Sequence, residues 1–192
     1  MPDKNQDIRA FIAIRIPQKT LPVIESLIRK LQPMLSAARF VRTDNIHLTL
    51  HFFGSISVDR IEAVKQALRE VAIGQAPVSM KIGGLGFFPD KHRPRVLWVG
   101  VTEGSDAIIQ LAGNVENAIN RYGFAKGKRP FIPHITLARI KKPKQPRIND
   151  VLRIGQSFNT DPFIIDELTL IQSTLHPDGP GYTVLETFQL DG

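Results

Sequence analysis

The sequence predicts an α+β protein of two lobes in a bilobal, pseudo-symmetric arrangement, each lobe a mainly antiparallel sheet with helices on its outer face, the two enclosing a central groove. Three observations predict it. Short apolar segments of strand character alternate with longer segments whose apolar residues recur every three to four positions. The order repeats, so that each half reads strand, helix, strand, helix, strand. The middle strand of each half carries histidine, aliphatic, threonine, leucine, at 47–50 and again at 134–137.

Element by element, AFIAIRI (10–16) is a strand, and Pro17 suits the entry to a helix with a stripe of Leu21, Ile24, Leu27, Ile28 and Leu31. A strand over 46–53 follows. After Gly54, Ser57 or Asp59 is a candidate cap for a helix whose stripe is Ile61, Val64, Ala67, Leu68 and Val71. VSMKIGGLGFF and RVLWVGV are strands separated by the turn-rich PDKHRP, and the glycines of GGLG mark a bulge or tight bend. A helix with Ile108, Leu111, Val115, Ala118 and Ile119 leads to the strand HITLARI. RINDVLRIG fits a short helix, and the strands FIIDELTLIQS and YTVLETFQL close the chain. Residues 1–192 form a single domain of two intertwined lobes, one motif in each.

Composition narrows the chemistry. There is no cysteine, which removes disulfides, thiolate metal sites and a catalytic thiol. The first residues mix charges of both signs and the apolar run is stopped by Pro17, unlike a signal peptide, and no segment has membrane-spanning length, so a cytoplasmic protein with no membrane partner is expected. The net charge is +7, and residues 126–147 hold eight basic side chains and no acidic one, a favourable field for a polyanion around the second motif or, as a plainer alternative, a solvated face.

In a strand, alternate side chains share a face, so His47 and Thr49 point one way and Leu48 and Leu50 the other, as do His134 and Thr136 against Ile135 and Leu137. Imidazole exchanges a proton near neutral pH, and a threonine hydroxyl donates to an anionic oxygen. Two such pairs facing one another supply a base, an acid and two donors, which is what in-line displacement at phosphorus requires. One pair alone is as well explained by a strand's ordinary polar residues. The four-residue pattern arises by chance in on the order of one chain in a hundred, so its recurrence at matching places favours function. His47 and His51 have metal-ligand spacing for a helix, but on a strand they stand roughly 13 Å apart, too far for one ion. No HExxH, calcium-loop or Walker pattern is present, and neither metal nor cofactor is expected.

With HLTLHFFG and FIPHITLAR as paired signatures, and GFFPDKHRPRVLWVGV and LTLIQSTLHPDGPGYTVLETFQL flanking them, the chain resembles the two-histidine phosphoesterases, and among them the RNA 2′,3′-cyclic phosphodiesterases, also called 2′-5′ RNA ligases, over nearly its full length. The resemblance implies a pseudo-symmetric fold with a central groove and metal-free hydrolysis of RNA ends bearing a 2′,3′-cyclic phosphate to a 2′-phosphomonoester. It carries over His47, Thr49, His134 and Thr136 as catalytic, and Arg139 as a contact to the phosphate or ribose. Strict alternation turns Arg139 away from His134, so either the strand ends or bulges near Ala138 or the side chain reaches round an edge. Phe53 and His51 share the parity of His47 and are candidates to line the groove; a core aromatic and an edge histidine are the plain alternatives. Because the basic segment flanks His134 and disfavours its protonated form, His134 is expected to be the proton acceptor and His47 the proton donor. A monomer is expected. Reversible 2′-5′ ligation of RNA and a non-catalytic RNA-binding module are the alternative functions.

Overall fold

The computed structural model describes residues 7–127, 129–141, 147–177 and 179–192. Of the basic segment, Lys128, Lys142 and Lys144 lie outside the described residues. The elements are β1 (Asp7–Arg15), α1 (Leu21–Leu31), β2 (Ala38–Phe40), β3 (His47–Ser57), α2 (Ile61–Ala72), β4 (Val78–Phe88), β5 (Val96–Glu103), α3 (Ser105–Arg121), β6 (His134–Ile140), α4 (Ile148–Ser157), β7 (Phe163–Ile165), β8 (Glu167–His176) and β9 (Gly179–Gln189).

The α+β class holds, but the two separate sheets do not. One antiparallel sheet runs β7-β4-β5-β6-β3-β1-β8-β9, with β2 added beside β6. The reason lies in the motif strands themselves: β3 and β6 pair with each other, Leu48 opposite Ile135, and this narrow seam joins two four-stranded halves edge to edge. The chain crosses between the halves after each motif strand, through α2 to β4 beside β5, and through α4 and the short β7 to β8 beside β1. The predicted strand 163–173 is accordingly broken at Asp166. Its carbonyl accepts hydrogen bonds from the Leu190 N–H at 2.7 Å and the Gln189 side chain at 2.8 Å while the chain passes from β4 to β1.

The predicted stripes of α1 (Leu21, Ile24, Leu27, Ile28 and Leu31) and α3 (Ile108, Leu111, Val115, Ala118 and Ile119) are buried, and that of α2 is buried at Val64, Ala67 and Leu68 and half-buried at Ile61 and Val71. They pack into one continuous core with Leu48, Leu50, Ile135 and Leu137 from the seam strands. Each leucine, isoleucine or valine among them, fully withdrawn from water, contributes about 1.5–3 kcal/mol before entropy is counted. A small second cluster, Phe11, Ala13 and Ile171 with Tyr182 packed against it, lies apart from that core. Neither Ser57 nor Asp59 caps α2 with its side chain; a short 3₁₀ turn over 58–60 leads into the helix. No helix among the described residues is long and apolar enough to cross a membrane.

Candidate active site

The seam explains why the two motifs meet. With Leu48 and Ile135 paired and wholly buried, their neighbours on each strand emerge on the opposite face. Continuing the antiparallel register by one residue each way sets His47 across from Thr136 and Thr49 across from His134. The two histidines then occupy one diagonal and the two threonines the other, a spacing of roughly 7–8 Å between diagonal positions. All four side chains line one cavity of about 410 Å³, together with Arg139 and Tyr182.

Each imidazole is fixed in the same way. The Nδ1 of His47 lies 2.8 Å from the carbonyl oxygen of Asn45, and the Nδ1 of His134 lies 2.8 Å from that of Ile132. A carbonyl only accepts, so each Nδ1 carries the proton. Each Nε2 is thereby left to give or take a proton. The surroundings then diverge. His47 is stacked on Phe11 at 4.8 Å and met edge-on by Tyr182 at 5.3 Å. His134, half-buried as His47 is, meets the edge of Phe88 at 4.8 Å, with Trp98 next to Phe88 at 5.3 Å. Trp98 stands opposite both Thr136 and Gly86; a Cβ at Gly86 would lie 2.1 Å from the indole, so this glycine of GGLG lets the ring lie flat on β4. Burial lowers the His47 pKa; the hydrogen bond to Asn45 opposes this, and the charges of Arg139 and His134 add to the lowering.

Arg139 reaches the cavity because β6 bulges. Trp98 pairs with Thr136 and Leu97 with Ala138, so Leu137 is the extra residue, Leu137 and Ala138 are both buried, and the alternation restarts with Arg139 on the cavity side. The first of the two routes open to Arg139 is the one found.

The same device overturns the placement of His51 and Phe53. In β3, Ala13 pairs with Thr49 and Ile12 with His51, leaving Leu50 as the extra residue. His51 therefore shares the face of Ile12, in the main core, and Phe53 packs against that core and against Phe124 at 5.0 Å. His51 lies 4.6 Å from Phe53, and burial lowers its pKa while Glu116 of α3 opposes that. Neither lines the cavity. Phe52 takes the groove side in their place, paired with Phe11, 53% exposed, with the Arg9 guanidinium 5.4 Å from its ring centre.

Sequence reasoning missed Tyr182 and the rest of the lining, which comes from Arg39, Arg42 and Asn45 on one side and from the adjoining ends of β8 and β9, at His176 and at Gly179, Pro180 and Gly181, on the other. The Asn45 side-chain amide donates to the Pro180 carbonyl at 3.1 Å and ties the two sides together. Only the tyrosine's place in YTVLETFQL was visible beforehand, and nothing in that segment signals contact with residue 47.

A family model described as the 2′-5′ RNA ligase superfamily matches residues 21–177. The chain is 35% identical over 187 residues to the RNA 2′,3′-cyclic phosphodiesterase of Aquifex aeolicus, an alignment covering 96% of this chain and 98% of that one. It is 31% identical over 188 residues to the RNA 2′,3′-cyclic phosphodiesterase of Thermotoga maritima, covering 96% and 97% of the two chains. In three dimensions it is similar to the crystal structure of TT0787 of Thermus thermophilus, with a TM-score of 0.81 at 26% identity over 95% of this chain and 98% of that one.

Proposed function

This chain belongs to the 2′-5′ RNA ligase superfamily and is an RNA 2′,3′-cyclic phosphodiesterase, and we propose that it opens the terminal ring to a 2′-phosphate with His47 as proton donor and His134 as proton acceptor. The observation that carries the two-histidine reading is the diagonal: two imidazoles, each with Nδ1 already committed to a carbonyl, present Nε2 from opposite corners of one cavity. Water attacks phosphorus on the side of His134, whose Nε2 takes its proton. The bond from phosphorus to the 3′ oxygen breaks with its electron pair, and the oxygen takes a proton from His47 Nε2. Thr49, Thr136 and Arg139 offer donors and positive charge to the non-bridging oxygens.

The charge argument made from sequence, that positive side chains hold His134 neutral, does not support this assignment, because Arg139 bears on His47. Two other considerations do. A lowered pKa makes the His47 imidazolium a stronger acid toward a leaving alkoxide. The anionic substrate bound beside this buried ring favours the protonated form, so substrate itself loads the proton. We further propose that the protein acts as a monomer, since a single chain supplies both histidines, both threonines and Arg139 to the cavity, and that it acts in the cytoplasm.

An oligoribonucleotide ending in a 2′,3′-cyclic phosphate tests the proposal. The expected product is a 2′-phosphomonoester. A 3′-phosphate would reverse the leaving group, and tight binding without turnover would indicate a binding module.

A further inference from the structure

We propose that Phe52 and Arg9 form a subsite for the terminal nucleoside of the RNA, Phe52 stacking its base and Arg9 meeting the phosphate on its 5′ oxygen. The proposal rests on the phosphodiesterase reading, and within it on His47 as the group that protonates the leaving 3′ oxygen.

The leaving oxygen belongs to the terminal ribose, whereas the water that attacks on the His134 side brings no nucleoside with it. The ribose and its base therefore lie on the half of the sheet that carries His47. Register locates the surface they meet. Phe11, on whose ring His47 is stacked at 4.8 Å, stands directly opposite Phe52 on the neighbouring strand. Residues so opposed point to the same face with their Cβ atoms about 4.5–5.5 Å apart, so Phe52 is one side chain removed from the imidazole. Phe11 is almost wholly buried, with His47 and Tyr182 against it, but Phe52 keeps 53% of its surface open. Ala10 and Ile12 lie in the main core, which puts Arg9 on the side of Phe11 and Phe52. Its guanidinium stands 5.4 Å from the centre of the Phe52 ring, close to the outer limit of a cation–π contact, and Arg9 is itself exposed. An exposed phenylalanine alone needs no explanation. A phenylalanine with a guanidinium beside it, next to the group that protonates the 3′ oxygen, matches what a nucleoside presents. On a ribose whose 2′ and 3′ oxygens are held at the phosphorus, the base on C1′ and the oxygen on C5′ both leave from the far edge, so a flat ring and an anion emerge side by side. Asp7, two residues beyond Arg9 on the same face, accepts from the Ser55 hydroxyl at 3.0 Å and sets a carboxylate at the outer end, which disfavours a further phosphate there.

Three substrates test it: the 2′,3′-cyclic phosphate of 1-O-methylribose, which has no base; adenosine 2′,3′-cyclic phosphate; and the same nucleoside carrying a 5′-phosphate as well. The wild-type kcat/KM should rise along that series. Phe52→Ala should lower the ratio of adenosine to methylribose substrate about tenfold, as loss of a base stacked on an aromatic side chain does. Phe52→Trp, which keeps an aromatic face, should keep the ratio. Arg9→Gln should lower the advantage of the 5′-phosphate about threefold, as loss of an exposed ion pair does, and added salt should shrink the same advantage in wild type. Equal losses on the adenosine and methylribose substrates in Phe52→Ala would overturn the proposal by making Phe52 a support of Phe11 and His47. A 5′-phosphate advantage unmoved by Arg9→Gln would overturn the place given to Arg9. A base-dependent ratio that fell with Trp98→Leu and not with Phe52→Ala would overturn it by setting the nucleoside on the His134 half. Equilibrium binding of adenosine 2′-phosphate against methylribose 2′-phosphate reads the same ratio even without turnover. Failure of the phosphodiesterase reading, no turnover of any of the three, is thus distinct from failure of the subsite, a ratio that does not move.

Discussion

Strands β3 and β6 carry the same histidine, aliphatic, threonine, leucine run, bury the same two aliphatic positions and bulge at the same place, Leu50 in one and Leu137 in the other. Two residues beyond the bulge they part: β6 turns Arg139 into the cavity, and β3 turns out Phe52 on the groove side. The histidines part as well. His47 is enclosed between Phe11 and Tyr182, whereas His134 meets the edge of Phe88 at 4.8 Å with Trp98 at 6.4 Å. A duplicated scaffold thus supplies paired functional groups, and the residues outside the motif make the pair unequal. Acid and base catalysis needs that inequality, because two identical histidines offer no reason for one to give a proton while the other takes it.

The largest effects should come from the histidines. His47→Ala and His134→Ala should each lower the rate roughly 10²- to 10⁴-fold, as loss of a general acid or base does. A substrate whose 3′ leaving group needs no protonation, such as a 3′-thiolate, separates them. It should restore much of the rate to His47→Ala and little to His134→Ala. The opposite pattern would exchange the two roles while leaving the diagonal geometry intact.

Next come the residues beyond the bulges. Arg139→Ala should lower kcat on the order of 10²- to 10³-fold, as for loss of a donor to charge developing in the transition state. Phe52→Ala should raise KM instead, since an exposed ring on the groove side can stack a base, a contact worth about 1–3 kcal/mol. His51→Gln, one position earlier on the core face, should leave kcat/KM within about twofold. If His51→Gln proved as damaging as Phe52→Ala, the assignment of faces beyond Leu50 would be wrong.

Those two bulges also mark where the sequence stops being legible. The helical stripes, most strands, and the shared face of His47 with Thr49 and of His134 with Thr136 follow from periodicity, because apolar burial and strand alternation are enforced locally. His51, Phe53 and Arg139 were counted on the same alternation, and one inserted residue reverses it. Nothing in HLTLHFF or HITLARI distinguishes a bulged from a regular strand, since Leu50 and Leu137 are apolar and buried in either case. The single sheet was equally hidden. Two half-sheets facing across a groove and two joined at one narrow seam bury the same stripes, and only the pairing of Leu48 with Ile135 decides between them. Tyr182 reaches the cavity from a segment far from either motif in sequence, and Arg39, eight residues before His47, reaches it because β2 pairs with β6, so both depend on sheet topology.

The finest test of inequality between the halves is protonation. Burial against Phe11 and Tyr182 lowers the His47 pKa from the usual 6.5, with the Asn45 hydrogen bond opposing and the Arg139 charge assisting. An acid must be protonated to act, so activity that depends on it falls as pH rises through its pKa. The pH dependence of kcat/KM reports the free enzyme, and its alkaline limb, set by His47, should therefore lie below 6.5. The pH dependence of kcat reports the complex, in which the negative phosphate beside the imidazolium raises the same pKa, so the alkaline limb should move to higher pH. Arg139→Ala removes one lowering influence and should shift the kcat/KM limb upward, by less than Phe11→Ala, which opens the ring to water and relieves the largest one. Were His47 the base, the low pKa would appear in the acid limb of kcat/KM, where the rate rises with pH, and the Phe11 substitution would displace that limb upward instead. Because both assignments predict a shift on opening the His47 cage, the limb that moves identifies which histidine holds the proton.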